Sequence, residues 1–313
     1  MTIQRIINGD TMSNFFSRWF MFLKERFEPV GTTLTIAAFF GANAFAASEK
    51  SFLLASGPLR LLGSFALVWL VFLHMRLFDE VKDYAFDTQH NPHRPLARGL
   101  ISLDEFGFMT FMVILSEITI AALLGRATFT VYAMLLAFTL LMRMEFFIGD
   151  WLRPKLESYA ISHTFSASLL GLTTGVAVCG VYPFDLNKFF YFFALSNWFI
   201  FNVFEFGRKT FGSEEERDGV DSYSIRLYPI GAFLLLFVNL AIGIALCFYS
   251  ASLKFGELPK QLSLSVSILA LLVVGTGIWY SAHPKTSQAK IYRGTVTFFL
   301  LAYHIAVLAG FWK

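Results

Sequence analysis

Long apolar runs, each closed by a short cluster of charges, make up most of the chain from Thr33 onward. A helix needs roughly 20 apolar residues to cross the hydrocarbon layer of a bilayer. Nine stretches approach that length: Thr33–Ala47, Leu59–Phe78, Phe106–Leu124, Phe129–Phe147, Ser162–Tyr182, Phe189–Phe204, Leu227–Ser250, Leu262–Ala282 and Thr295–Trp312. The pattern predicts an all-α polytopic membrane protein, a bundle of nine transmembrane helices around a central cavity. The first and sixth runs are short and need tilt or extension by their flanks.

The residues ahead of the first run read differently. Met1 to Thr11 are mostly polar, so no signal peptide is expected there. Ser13 to Phe27 interleaves Phe15, Phe16, Trp19, Phe20 and Leu23 with Arg18, Lys24, Glu25 and Arg26. This predicts an amphipathic helix lying on the inner membrane surface. The expected organisation is an interfacial segment, residues 1–32, followed by one transmembrane catalytic domain, residues 33–313.

Composition agrees with a bilayer as solvent. Hydrophobic residues are 56% of the 313, charged residues 15%, and mean hydropathy is +0.59, whereas about a quarter of a soluble domain is charged. The 38 phenylalanines fit walls that face lipid or lipid-like substrates. A net charge of +3 is too small to argue for nucleic acid. Cys179 and Cys247 both lie in apolar runs and point to neither a disulfide framework nor a metal site.

Nine crossings divide the 25 lysines and arginines into eighteen on one side and seven on the other. Positive charge marks the cytoplasmic side, so the N-terminus is expected inside and the C-terminus outside, in an inner or plasma membrane. Two loops on the inner side also hold the acids. Loop 79–105 carries Asp79, Glu80, Asp83, Asp87, Asp104 and Glu105; loop 205–224 carries Glu205, Glu214, Glu215, Glu216, Asp218 and Asp221. Four helices separate them, consistent with two diverged halves that share one mouth, although no residue-level repeat is visible.

If the second helix continues past the membrane surface, Asp79, Asp83 and Asp87 fall at i, i+4 and i+8. Successive carboxylates then stand about 6 Å apart along one face. Glu80 edges that face. Acids crowded this way repel unless a cation intervenes. Mg²⁺ suits them because it accepts one or two carboxylates, keeps several waters and takes phosphate oxygens as its other ligands. A solvated acidic helix end is the plain alternative. Against it stand the surrounding positive charge and the segment that follows, Asn91-Pro-His93-Arg94-Pro95-Leu96-Ala-Arg98-Gly99-Leu-Ile101-Ser102.

This stretch resembles the UbiA superfamily of intramembrane prenyltransferases. Its members carry Asn-Asp-x-x-Asp-x-x-x-Asp at the end of the second helix, then Arg-Pro-Leu-x-x-Gly-x-Ile-Ser. Here Asp79 replaces the Asn and Glu80 the first Asp, while Asp83, Asp87, Arg94, Pro95, Leu96, Gly99, Ile101 and Ser102 match. The resemblance implies Mg²⁺ held by Glu80, Asp83 and Asp87 with Asp79 assisting. It also implies a prenyl diphosphate donor and a lipid-soluble or amphiphilic acceptor, with Arg94 and Arg98 on the substrate.

The second loop departs from the family. Gly219, Val220 and Ser222 match its Gly-Val-x-Ser ending and Glu215 falls where the last acid does, but Phe211 occupies an expected aspartate position, and Arg208 and Lys209 bring positive charge. The departure leaves the family's second Mg²⁺ open, and the two cations are expected to neutralise the donor directly. Glu205 and Lys209 form an i, i+4 pair in the favourable order, and Arg208 presents a planar fork suited to phosphate. A helix-end ion pair with no ligand remains the alternative. Glu205, followed four residues on by a lysine, is similar to the Tyr-x-x-x-Lys element of the branch that transfers phosphoribose to polyprenyl phosphate.

Lys209 is thus assigned with the four acids to catalysis. Substrate binding is assigned to Arg94, Arg98, Lys155, Asn202, Glu205, Arg208, Glu215 and Asp218. His74, Glu157, His163, Asn197 and His304 are polar groups in or beside spans, readable as interhelical bonds or cavity lining. The expected activity is Mg²⁺-dependent transfer of a prenyl group from its diphosphate. Phosphoribosyl transfer to a polyprenyl phosphate is the first alternative. An ion-coupled transporter is the second, disfavoured because transporter sites sit near the midplane whereas these acids lie at helix ends.

Overall fold

Proline sets where the first spans begin. Glu28 (φ 45°) breaks the chain before Pro29, and Gly57 (φ 83°) does so before Pro58, so each proline opens a helix where its missing N–H costs nothing. The computed structural model describes residues 9–49, 51, 56–217 and 219–312. Among them are helices α1 (Gly9–Arg26), α2 (Pro29–Ala47), α3 (Pro58–Lys82), α4 (Tyr84–His90), α5 (Leu103–Leu124) and α6 (Arg126–Arg143), and no strand. They continue with α7 (Leu156–Cys179), α8 (Lys188–Arg208), α9 (Tyr223–Phe255), α10 (Lys260–Ala282) and α11 (Thr286–Phe311).

Nine of these, α2, α3 and α5 to α11, are long and apolar enough to cross a membrane, the nine that the apolar runs predict. Each span packs on the next along the chain and α11 closes on α2, so the bundle is a ring. Helix α7, which also contacts α2, α3 and α6, is the most buried; α5 and α10 are the least.

Several boundaries differ from expectation, the ninth span beginning at Thr286 and not Thr295. The short sixth run grows into Lys188–Arg208, because polar residues at its end complete the helix above the apolar part. The fourth stops at Arg143, not Phe147. Glu145, Phe146 and Phe147 have φ of 50°, 54° and 60°, a left-handed turn that no right-handed helix can include. Arg153 holds it in place through Nε, 2.5 Å from Glu145 Oε2.

Polar groups inside the ring bond across helices, as groups without water must. Asn43 accepts from Asn197 at 2.8 Å, and Asn202 donates to Asn239 at 3.0 Å. His74, Glu117, Tyr132 and Thr139 form one buried cluster: His74 Nδ1 lies 2.8 Å from Glu117, and the Tyr132 hydroxyl donates to Glu117 at 2.6 Å. His74 thus joins α3 to α5 and α6. At the end opposite the acids, Arg60 donates to the carbonyls of Ala177 and Leu124, and Lys254 to those of Phe45 and Ser48. Both cations cap helix C-termini, where the dipole favours positive charge.

Candidate active site at the ends of two helices

The acids of the first motif follow one helical path with a joint at Asp83. Helix α3 ends at Lys82 and α4 begins at Tyr84, yet Asp83 N still bonds Asp79 O at 2.9 Å and Asp87 N bonds Asp83 O at 2.8 Å. The i, i+4, i+8 relationship survives in the backbone. The side chains divide.

Glu80 is held by arginine. Its side chain is 1% exposed and accepts from Arg26 Nε at 2.7 Å, with Arg76 Nη1 at 4.0 Å. Asp87 is also enclosed: Arg94 Nη1 lies 2.6 Å from both its oxygens, and Asn91 donates at 3.0 Å. Asp79 is half-exposed and faces Lys82 Nζ at 3.4 Å. The Asp83 carboxylate has no hydrogen-bond or ion-pair partner among the described residues. Burial pushes its carboxyl above the usual aspartate range; Lys82 pulls it back, and Asp79 and Asp87 push it up further.

At the end of α8, Arg208 Nε stands 2.6 Å and Lys209 Nζ 3.1 Å from the Glu205 carboxylate. Arg208 lies within electrostatic reach of both Asp79 and Arg76. The last turn of α3 and the last turn of α8, four spans apart in sequence, therefore lie within electrostatic reach of each other at one end of the bundle, its mouth. Two turns below, Phe72 and Phe201 bring their rings to 6.2 Å between centroids, with Phe39 of α2 against both.

The other acids of the second loop are occupied in shaping it. Glu215 binds Arg293 of α11 through two contacts of 2.8 and 2.9 Å and accepts from Gly212 N; the arginine bonds hold its carboxyl below the usual range against the opposing effect of burial. Glu214 accepts from Thr286, and Glu216 from Ser222, the N-cap of α9. Glu215 thus anchors the loop through Arg293, which also donates to the carbonyl of Thr210. Asp218 lies outside the described residues.

Of the remaining candidates, Arg98 turns to Glu25 of α1 at 2.8 Å. Lys155, at the start of α7, lies 3.2 Å from the centre of the Trp151 ring. Asn202 spends its groups on Asn239 and Thr164. Two further residues join the mouth. Lys82 Nζ bonds the Tyr159 hydroxyl at 2.7 Å, and the Tyr159 ring stacks on His163 at 3.9 Å. Lys82 could have been found, since it sits inside the acid run; Tyr159 carries no sequence signal, because it arrives from α7.

Among the described residues no three acidic, histidine or cysteine side chains converge as a ready-made cage for an ion. Asp79 and Asp83 are nevertheless accessible to a ligand and one turn apart. Such a pair suits an ion that takes one or two carboxylates from protein and the rest of its ligands from water and phosphate.

No family model matches the sequence, and no curated protein sequence matches it significantly. Solved structures do. A digeranylgeranylglyceryl phosphate synthase superposes with a TM-score of 0.64 at 14% identity, covering 95% of this chain and 99% of the other. A UbiA homologue from Aeropyrum pernix K1 gives 0.61 at 15% identity, covering 90% and 96%. The chain has their fold and is an integral membrane protein.

Proposed function

We propose that this protein transfers a prenyl group from a prenyl diphosphate to a lipid-soluble or amphiphilic acceptor within the membrane. One observation carries the proposal: acids at the end of α3 and cations at the end of α8 meet at a single mouth of a bundle with the prenyltransferase fold. A diphosphate is the ligand that such a mixed surface serves. Arg76, Lys82, Arg208 and Lys209 supply four positive charges, and Asp79, Asp83 and Glu205 three negative ones. The surplus attracts the donor, and the two open aspartates admit a bound Mg²⁺.

Asp79 and Asp83 would hold Mg²⁺, which would stabilise negative charge developing on the leaving diphosphate. The cations do the same without reorganising, and charge fixed in advance is usually what most accelerates a reaction that develops negative charge. Arg208 offers two parallel N–H groups to phosphate oxygens, and Lys209 a single ammonium. Beneath them the rings of Phe72 and Phe201 exclude water and present π faces to an allylic cation.

The Glu205–Lys209 pair favours keeping a second reading, phosphoribosyl transfer to a polyprenyl phosphate. Isotope-labelled prenyl diphosphate and phosphoribosyl diphosphate, offered in parallel to purified protein with a lipid extract, separate the two. Release of diphosphate from the prenyl compound, with label passing to lipid, is the expected result. Consumption of the phosphoribosyl compound alone rejects the main reading.

A further inference from the structure

Helix α1 is tied to the site at three successive points. Arg18 Nη2 reaches both oxygens of Glu105 on α5 at 3.0 Å, and Trp19 Nε1 adds a bond of 2.9 Å to the same carboxylate. Glu25 receives Arg98, from the segment after α4, at 2.8 and 2.9 Å. Arg26 donates Nε to Glu80 at 2.7 Å. Its own carbonyl, the last of α1, accepts from Arg76 Nε at 2.6 Å. Trp19 and Phe22 are buried against Phe106, while Phe16 and Phe20 face outward. The helix is therefore a strap, seated on protein along one side and apolar along the other.

The last of these ties bears on the acids directly. A carboxylate that is 1% exposed and bound by a guanidinium has neither the room nor the free charge to coordinate an ion. Asp83, three residues on, has no such partner.

We infer that Arg26 is a positioning residue that withdraws Glu80 from the metal–diphosphate site, so that the ion rests on Asp79 and Asp83. The N-terminal strap thereby sets how many carboxylates the site presents. This role rests on the metal–diphosphate reading of the mouth.

The test is Mn²⁺ binding to the purified full chain in the presence of inorganic diphosphate, followed by the loss of free-ion paramagnetic resonance. Asp83→Asn raises the half-saturating Mn²⁺ concentration tenfold or more, and Glu80→Gln changes it less than threefold. In Arg26→Gln the released carboxylate joins the site, so half-saturation falls at least threefold below wild type. The double variant Arg26→Gln/Glu80→Gln returns it to the wild-type value. A strap that only stabilised the fold would shift the melting temperature and produce no such reversal.

If Glu80→Gln weakens binding as much as Asp83→Asn, Glu80 is a ligand and the inference is overturned. Glu80→Gln keeps its side-chain shape and an acceptor for Arg26, so it decides the point alone if the arginine variant does not fold. Absence of Mn²⁺ binding in the wild type overturns the metal reading itself, and the role of Arg26 with it.

Discussion

The rings of Phe72 and Phe201 lie 6.2 Å apart between centroids, each seven residues before a charged group of the mouth, Asp79 on α3 and Arg208 on α8. Seven residues are about two helical turns, or roughly 10 Å. The two helices thus converge on an aromatic floor beneath the charges. Phe201→Leu keeps an apolar side chain but removes the π face. If the ring stabilises a cation, turnover should fall about 2- to 30-fold, from ~0.5–2 kcal/mol, with donor affinity unchanged. Single-turnover rates measured beside donor binding separate the two effects, and a loss of affinity alone would return Phe201 to packing.

Asp83 and Asp87 should respond differently to removal. Asp83→Asn abolishes turnover and leaves the melting temperature near wild type, because that carboxylate bonds nothing in the fold. Asp87→Asn weakens the bond to Arg94 and costs about 1.5–3 kcal/mol of stability. Melting curves and Mg²⁺-dependent assays on both variants check this. Full activity of Asp83→Asn would dismiss the metal assignment.

The raised Asp83 carboxyl gives a pH dependence. Metal needs the deprotonated form, so affinity is full above the raised value and is lost as pH falls through it. The loss begins at a higher pH than for an ordinary aspartate, which titrates near 3.9. Mn²⁺ titrations between pH 4 and 7 (about the range open to a detergent-solubilised protein) should show it in wild type. A flat profile over that range counts against Asp83 as a ligand.

The Lys209 ammonium pairs with Glu205 at 3.1 Å and has no other ion-pair or hydrogen-bond partner among the described residues. Lys209→Met keeps the apolar stem and removes the charge. If the ammonium grips diphosphate, donor affinity should drop about ten- to hundredfold, from ~1.5–3 kcal/mol. An unaltered donor titration would leave Lys209 as a helix-end ion pair.

The distribution of positive charge predicts a membrane orientation that labelling can test. A cysteine at Gly256, in the turn after α9, should react with an impermeant thiol reagent on intact cells. One at Thr88, beside the acids on α4, should react only after permeabilisation. The reverse labelling would put the mouth on the outer side.

The chain by itself determined the number of spans and marked the charged helix ends that are proposed as the site. Nine apolar runs became nine helices because length and hydropathy are properties of local sequence, and water-free surroundings leave a helix no other way to satisfy its backbone. The acids at 79–87 and the cations at 208–209 stood out for the same reason, since charge at a helix end is written in adjacent residues. Their division of labour was decided elsewhere. Spacing offered Glu80 beside Asp83 as a ligand, but Arg26 arrives from 54 residues away to claim Glu80, and among the described residues nothing arrives for Asp83. Tyr159 reached Lys82 from α7, and Arg293 took Glu215 from α11. A carboxylate's availability depends on what the other helices bring to it, and that follows from how the ring closes.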